Sequence, residues 1–324
     1  MADISLQDIY RARRRIASIA RRTALVESKA LSAVAGASVY LKTEFTQETG
    51  SFKIRGAANK ILSLTGEERK RGVITASTGN HGRAVAYIAK QVGVRATVCL
   101  SEEVPENKVA ALQRLGAEVV IVGRSQDDAF RKAEQLCQDK GYIFIPPFDD
   151  DLIIAGQGTI GLEVLEDLPQ VEVVMVPVSG GGLISGIAKV VKSASPEIRV
   201  IGVSMERSPV MYHSLRAGKP LEMEEEETLA DSLRGGIGLD NRYTFGMVQK
   251  HVDELALVSE EQIAATMALA FEEHHFVLEG AGAVGMAALL EGKINVAGKK
   301  VVVVLSGGNV DLAAFLAVIE RHRA

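Results

Sequence analysis

Val173-Val174-Met175-Val176-Pro177-Val178-Ser179-Gly180-Gly181-Gly182-Leu183-Ile184-Ser185-Gly186 passes from a β-branched run, through three consecutive glycines, into a helical pattern. A short apolar run of this kind suits a parallel strand buried on both faces. The glycines then leave unhindered backbone N–H groups at a helix N-terminus, where they can converge on an anion. The plain alternative is a tight turn. No Gly-Lys-Ser/Thr follows, which excludes a nucleoside-triphosphate loop, and Gly-x-Gly-x-x-Gly is not cleanly matched.

The same alternation recurs on either side. Further strand-like runs are Val73-Ile74-Thr75, Ala96-Thr97-Val98-Cys99-Leu100, Val119-Val120-Ile121-Val122, Val200-Ile201-Gly202-Val203 and Val301-Val302-Val303-Val304-Leu305. Helical patterns cover Asn80 to Gln91, Pro105 to Leu115, Gln126 to Lys140 and Ile184 to Ser193. The order predicts an α/β fold with crossover helices and two open, mostly parallel sheets. Pro146-Pro147 marks a break. A small domain is expected over 72–147, with 1–66 and 150–324 forming a larger, discontinuous domain and a site between the two.

With 324 residues, 47% of them hydrophobic, the chain can bury one large core or two moderate ones. A net charge of −4 gives no broad positive field, so a small metabolite is the expected partner and nucleic acid is not. Two cysteines are too few for a disulfide framework, and a cytoplasmic location is expected. The arginines at 11, 13, 14, 15, 21 and 22 accompany an apolar stripe at Ile9, Ile16 and Ile19, so a packed helix is expected rather than a transit peptide. No apolar stretch is long enough for a bilayer, and no membrane partner is expected.

Thr49-Gly50-Ser51-Phe52-Lys53-Ile54-Arg55-Gly56-Ala57 sets one lysine among small and apolar neighbours at a helix start. Desolvation and the positive helix end both disfavour the ammonium form, leaving a nucleophile for an aldehyde. Lys53 therefore reads as a Schiff-base lysine and pyridoxal 5′-phosphate as the cofactor. The glycine loop would hold the phosphate, Asn80 would contact the ring hydroxyl and Ser306 the ring nitrogen. A neutral serine there makes the ring a weaker electron sink than a carboxylate would and favours loss of a β-leaving group. Ala76-Ser77-Thr78-Gly79-Asn80-His81-Gly82, also between strand and helix, can hold a substrate carboxylate, although an N-cap turn would use the same residues.

Together with Ala155-Gly156-Gln157-Gly158-Thr159 and Ser306-Gly307-Gly308-Asn309, these motifs resemble the threonine dehydratase and serine racemase family of fold-type II pyridoxal-phosphate enzymes, whose fold is like that of the tryptophan synthase β chain. The form Ser77 to Ala84 and Gly202-Val203-Ser204-Met205-Glu206-Arg207 look most like the hydroxyectoine-utilization dehydratases. The resemblance implies that Lys53 carries the cofactor and catalysis, and that Phe52 packs on the ring. It further implies that Asn80, Ser179, Gly180, Gly181, Gly182, Leu183, Glu279 and Ser306 bind the cofactor, and that Ser77, Thr78, Gly79 and His81 surround the substrate carboxylate. A homodimer is expected.

Three departures from the family pattern matter. Thr78 stands where serine racemases place a serine base, which favours elimination over racemization. Ser204 and Val210 replace two hard anionic metal ligands, so no metal is expected. Ala24 replaces a proline near the N-terminus. The expected reaction is β-elimination of an L-hydroxyamino acid such as threonine, serine or 3-hydroxyaspartate to a 2-oxo acid and ammonia. Amino-acid racemization is the alternative, and a nicotinamide dehydrogenase a more distant one. For 3-hydroxyaspartate a second cation is needed, and Arg83, Arg131 or Arg234 are the candidates. Glu272-Glu273-His274-His275 reads as a surface helix end, not a zinc site, because adjacent histidines diverge on a helix.

Overall fold

The valine runs supply apolar side chains to both faces of a sheet, and the computed structural model shows where each face goes. It describes residues 4–77, 79–102, 104 and 106–322, the side chains of 107, 126 and 127 excepted. The expectations on Thr78 and on Pro105 lie outside the described residues. The strands are β1 (Leu25–Glu27), β2 (Ser38–Lys42), β3 (Val73–Ala76), β4 (Ala96–Leu100), β5 (Glu118–Ile121), β6 (Ile143–Phe144), β7 (Val173–Pro177), β8 (Arg199–Met205), β9 (Glu254–Val258) and β10 (Lys300–Val304). Between them run α1 (Leu6–Ile16), α2 (Lys29–Ala35), α3 (Lys53–Ser63), α4 (Gly66–Arg71), α5 (Asn80–Gln91), α6 (Glu106–Arg114) and α7 (Gln126–Lys140). The later helices are α8 (Asp151–Asp167), α9 (Gly182–Ala194), α10 (Val210–Ala217), α11 (Thr244–His251), α12 (Glu260–His274), α13 (Gly280–Leu290) and α14 (Leu312–His322).

One sheet has the order β1-β2-β10-β7-β8-β9, the other β5-β4-β3-β6. Every pairing is parallel except β1 with β2. In β10, Val301 and Val303 join a core with α12 and α13, while Val302 and Val304 join one with α9. Strand β7 splits in the same way, Val173 and Met175 against Val174 and Val176. Each such side chain contributes roughly 1.5–3 kcal/mol on full burial. The second sheet has its own core, in which Val73, Val85, Ile88 and Val98 meet Ile54, Ala57, Ala58 and Ile61 of α3.

Helix α3 lies at the seam. Gly56 abuts α8, where a β-carbon would press on the Ile153 carbonyl, and a β-carbon on Gly156 would press on Arg55 and Gly56. The Ala-Gly-Gln-Gly-Thr motif is therefore a close-packing surface. Strands β1, β2, β6 and β9 are not among the strand-like runs read from the sequence. The reason is visible in β2, which buries Lys42 completely, so the polar residue that ends the run lies inside the protein. Glu222 to Glu227 is irregular chain, its glutamates exposed, and His274 ends α12 with His275 following at φ 59°. Both cysteines are free. Among the described residues no helix is long and apolar enough to cross a membrane, and no cluster of three or more potential metal ligands is found.

Candidate active site

Parallel strands deliver their carboxyl ends to one edge of a sheet. Because β10 lies between β2 and β7, the chain leaving β2 toward Lys53, the loop after β10 and the glycine loop after β7 are neighbours. The bridge between Ser51 and Gly307 and the bond from the Phe52 N–H to the Ser306 carbonyl, 3.0 Å, stitch the first two together. The loop after β3 in the other sheet carries Ser77, Gly79, Asn80 and His81, and it reaches the same place through Asn80.

Lys53 is the first residue of α3, and no side chain caps that helix. Its Nζ donates to the Pro147 carbonyl at 2.7 Å and lies 5.3 Å from the centre of the Phe52 ring. Desolvation lowers its pKa to about 8, with the field of Glu279 opposing the shift. The amine is therefore neutral far more readily than a solvated lysine.

Glu279 immediately precedes α13 and is buried. Burial first, and the nearby Asp231 second, push its pKa up to about 8, so it is a neutral acid at pH 7. The Asn80 amide donates to Glu279 Oε1 at 2.7 Å and accepts from Asn309 Nδ2 at 2.6 Å; Asn309 also donates to the Thr49 carbonyl at 2.8 Å. A side chain at Gly307 would run into Glu279 Oε1. Asn80 thereby ties the β3 loop to the loop after β10 across 229 residues of chain.

The glycine loop is reached through a strap, Pro146-Pro147-Phe148-Asp149-Asp150. The Phe148 ring packs on Gly180 and its backbone on Gly182, where a β-carbon would strike either, and Gly181 adopts φ 85° to begin α9 with no side-chain cap. Asp149 caps α11 from afar, accepting from the Arg242, Tyr243 and Thr244 N–H groups at 2.7, 2.9 and 2.9 Å. Ser179 is half-buried and Leu183 is buried.

Other candidates are placed differently. His81 is buried and donates from Nε2 to the Ile145 carbonyl at 2.9 Å; burial, then Lys53, lower its pKa to about 3, so it is neutral. It braces the loop from behind. Ser306 is buried with its hydroxyl 3.4 Å from the Ala281 carbonyl, a long contact that leaves it open to a better acceptor. Gly79 has nothing within 4 Å of where a side chain would begin, and it opens α5 without a side-chain cap.

Sequence reasoning missed the strap, Ser232, which lies 3.4 Å from Asn80 Nδ2, and a buried ionic quartet of Lys42, Glu44, Arg55 and Glu163. The one available signal was Pro146-Pro147, which reads as a break and not as a contact surface.

Residues 16–307 match a family model described as "Pyridoxal-phosphate dependent enzyme". A putative threonine dehydratase of Sinorhizobium fredii is 51% identical over 319 residues, 98% of this chain and 96% of that protein. An L-threonine ammonia-lyase of Thermotoga maritima is 48% identical over 95% of this chain and 76% of its own length. The structure of maize serine racemase superposes with a TM-score of 0.91 at 34% identity, covering 98% of this chain and 97% of that one. The residues present fit the group that the family binds: a lysine of lowered basicity, a side-chain-free loop before an uncapped helix, and a buried Ser51 hydroxyl with no hydrogen-bond partner beside them.

Proposed function

The chain belongs to the pyridoxal-phosphate-dependent enzyme family, and from that premise we propose that it is an ammonia-lyase that dehydrates an L-hydroxyamino acid. The candidates are threonine, serine and 3-hydroxyaspartate, in the manner of the hydroxyectoine-utilization dehydratases that its motifs resemble. Two units, residues 72–147 and the remainder, act as small and large domains around the cleft. The assembly is a homodimer in the cytoplasm.

In this reading Ser179, Gly180, Gly181, Gly182 and Leu183 hold the cofactor phosphate with backbone N–H groups. Phe52 packs against the ring, Asn80 and Glu279 orient its hydroxyl side, and Ser306 meets its nitrogen. Bound there, pyridoxal phosphate supplies the electron sink that acidifies the substrate Cα–H. The substrate carboxylate lies against Ser77, Thr78, Gly79 and the start of α5, with His81 bracing the loop. Lys53 Nζ takes the Cα proton in its neutral form, and the hydroxyl leaves from Cβ with a proton as water. The resulting enamine tautomerises in solution and hydrolyses to a 2-oxo acid and ammonia.

The observation that carries this reading is Lys53 itself, a desolvated amine at an uncapped helix start beside a neutral carboxylic acid. Its test is Lys53→Ala. The variant should lose both ammonia release from every hydroxyamino acid and the visible absorbance of the purified protein. Retained turnover would refute the assignment. Chiral analysis of residual serine in the wild-type reaction separates elimination, with no D-serine, from racemization.

A further inference from the structure

Arg83 is the one candidate second cation that the structure leaves without a counter-ion. Of the three arginines singled out in the sequence, Arg131 is exposed and paired with Asp128 at 2.6 Å, and Arg234 pairs with Glu225 at 3.4 Å on the surface. Arg83 is half-buried, and its Nε is hidden from water with no hydrogen-bond partner. It lies three residues after Asn80 on α5, so the two side chains share one face of the helix. Asn80 on that face reaches Glu279, the acid that would attract Arg83 if it were ionised.

That acid does not neutralise Arg83, because burial keeps it protonated at pH 7. The other side chain acting on Arg83 is the exposed Arg114, which repels it. A half-buried guanidinium with an unused donor and no ionised partner carries a desolvation cost that an incoming anion would offset. The substrate α-carboxylate, in the reading above, already has the N-terminal N–H groups of α5. An anion on the substrate side chain has no other cation assigned to it.

We propose that Arg83 is the specificity-determining residue of the site: it takes the side-chain carboxylate of a dicarboxylic hydroxyamino acid, so that 3-hydroxyaspartate is the preferred substrate class. The inference rests on the ammonia-lyase reading. The reaction balances without a redox partner. The Cα proton and the Cβ hydroxide leave 3-hydroxyaspartate as water, the enamine becomes the imine, and one water then releases ammonia and oxaloacetate.

The test compares the holoenzyme with Arg83→Gln and Arg83→Lys, all loaded with cofactor as judged by visible absorbance. Ammonia release is measured from the stereoisomers of 3-hydroxyaspartate and from L-threonine and L-serine. We expect wild-type kcat/KM for one 3-hydroxyaspartate isomer to exceed that for threonine by about tenfold or more, and Arg83→Gln to lower it by about 10²-fold, mostly through KM, the size expected for losing one partner of a buried charge pair. Threonine turnover should change by less than about threefold, and Arg83→Lys should recover part of the loss. Calorimetric titration with malate, a dicarboxylate that cannot react, should show binding to the wild type that weakens in Arg83→Gln. Equal losses on all substrates, unweakened malate binding, or a wild-type preference for threonine would each overturn the proposal while leaving the ammonia-lyase reading intact. Absence of ammonia from every substrate would sink both.

Discussion

Glu279 and Lys53 titrate from opposite directions toward the same pH, and the consequences for stability have opposite signs. A carboxyl raised from 4.5 to about 8 holds its proton more tightly in the folded chain. Its contribution to stability is complete below the unfolded pKa and drains away as pH climbs through about 8. Lys53, lowered from 10.5 to about 8, contributes above its unfolded pKa, and that contribution is lost as pH falls through about 8. Glu279→Gln should therefore flatten the decline in melting temperature of the cofactor-free protein between about pH 4.5 and 8; thermal denaturation across that range checks it, and an unchanged slope would contradict the assignment. The buried quartet gives a second residue-scale prediction. Arg55 meets Glu44 with Nε and Nη2, each at 2.8 Å, and Glu163 with Nη1 and Nη2 at 2.6 and 2.9 Å, while Lys42 meets Glu163 at 2.6 Å. Two cations and two carboxylates balance, so removing one leaves uncompensated buried charge. Arg55→Ala should cost about 3–5 kcal/mol in urea unfolding.

Among the helices, the four that begin at the site share an N-terminus unlike that of most others, although α10, away from the site, is uncapped as well. Helices α1, α4, α7 and α12 carry complete capping boxes, and α8 is capped by Asp150. Helices α3, α5, α9 and α13, which begin at Lys53, Asn80, the glycine loop and just after Glu279, have no side-chain cap. Leaving N–H groups unpaired at a helix start forgoes about 1 kcal/mol each time, which is tolerable where a ligand supplies the acceptor. The glycine loop sharpens this. Gly180→Ala should drive a methyl into Phe148 and raise the concentration of pyridoxal phosphate needed to restore visible absorbance to the cofactor-free protein by about tenfold or more. Adding Phe148→Ala should recover part of that loss, which titration of both variants would show. The place of these glycines at a strand-to-helix junction was legible in sequence, because a β-branched run precedes them and a helical pattern follows. The role of Phe148 was not, since its partners at 180 and 182 are set by how α8 returns the chain to the sheet. Nor was the Asn80–Asn309 bond, which no local pattern encodes.

At the scale of the molecule, two sheets with separate cores share one helix. Ile54, Ala57, Ala58 and Ile61 of α3 belong to the core of the four-stranded sheet, while Gly56 and Arg55 lock the same helix to α8 and to Glu44. The two halves should unfold as one unit, with a single calorimetric transition whose van't Hoff and calorimetric enthalpies agree; two resolved peaks would show that α3 does not couple them. The alternation of strands and helices was readable because valine runs are buried on both faces. Strand order was not, since β10, last in the chain, inserts between β2 and β7 through pairings that depend on tertiary packing. The strap from Pro146 to Asp150 has a different kind of consequence. Within five residues it touches the Lys53 amine through a carbonyl, the glycine loop through a ring and α11 through a carboxylate, while Asp150 pairs with Lys60 at 2.6 Å. An insertion or deletion of even one residue there would throw all four attachments out of step, whereas the irregular chain around Glu222 to Glu227 can absorb added length. Over evolutionary time this protein is free to grow at its acidic loop and is held to a fixed length at its prolines.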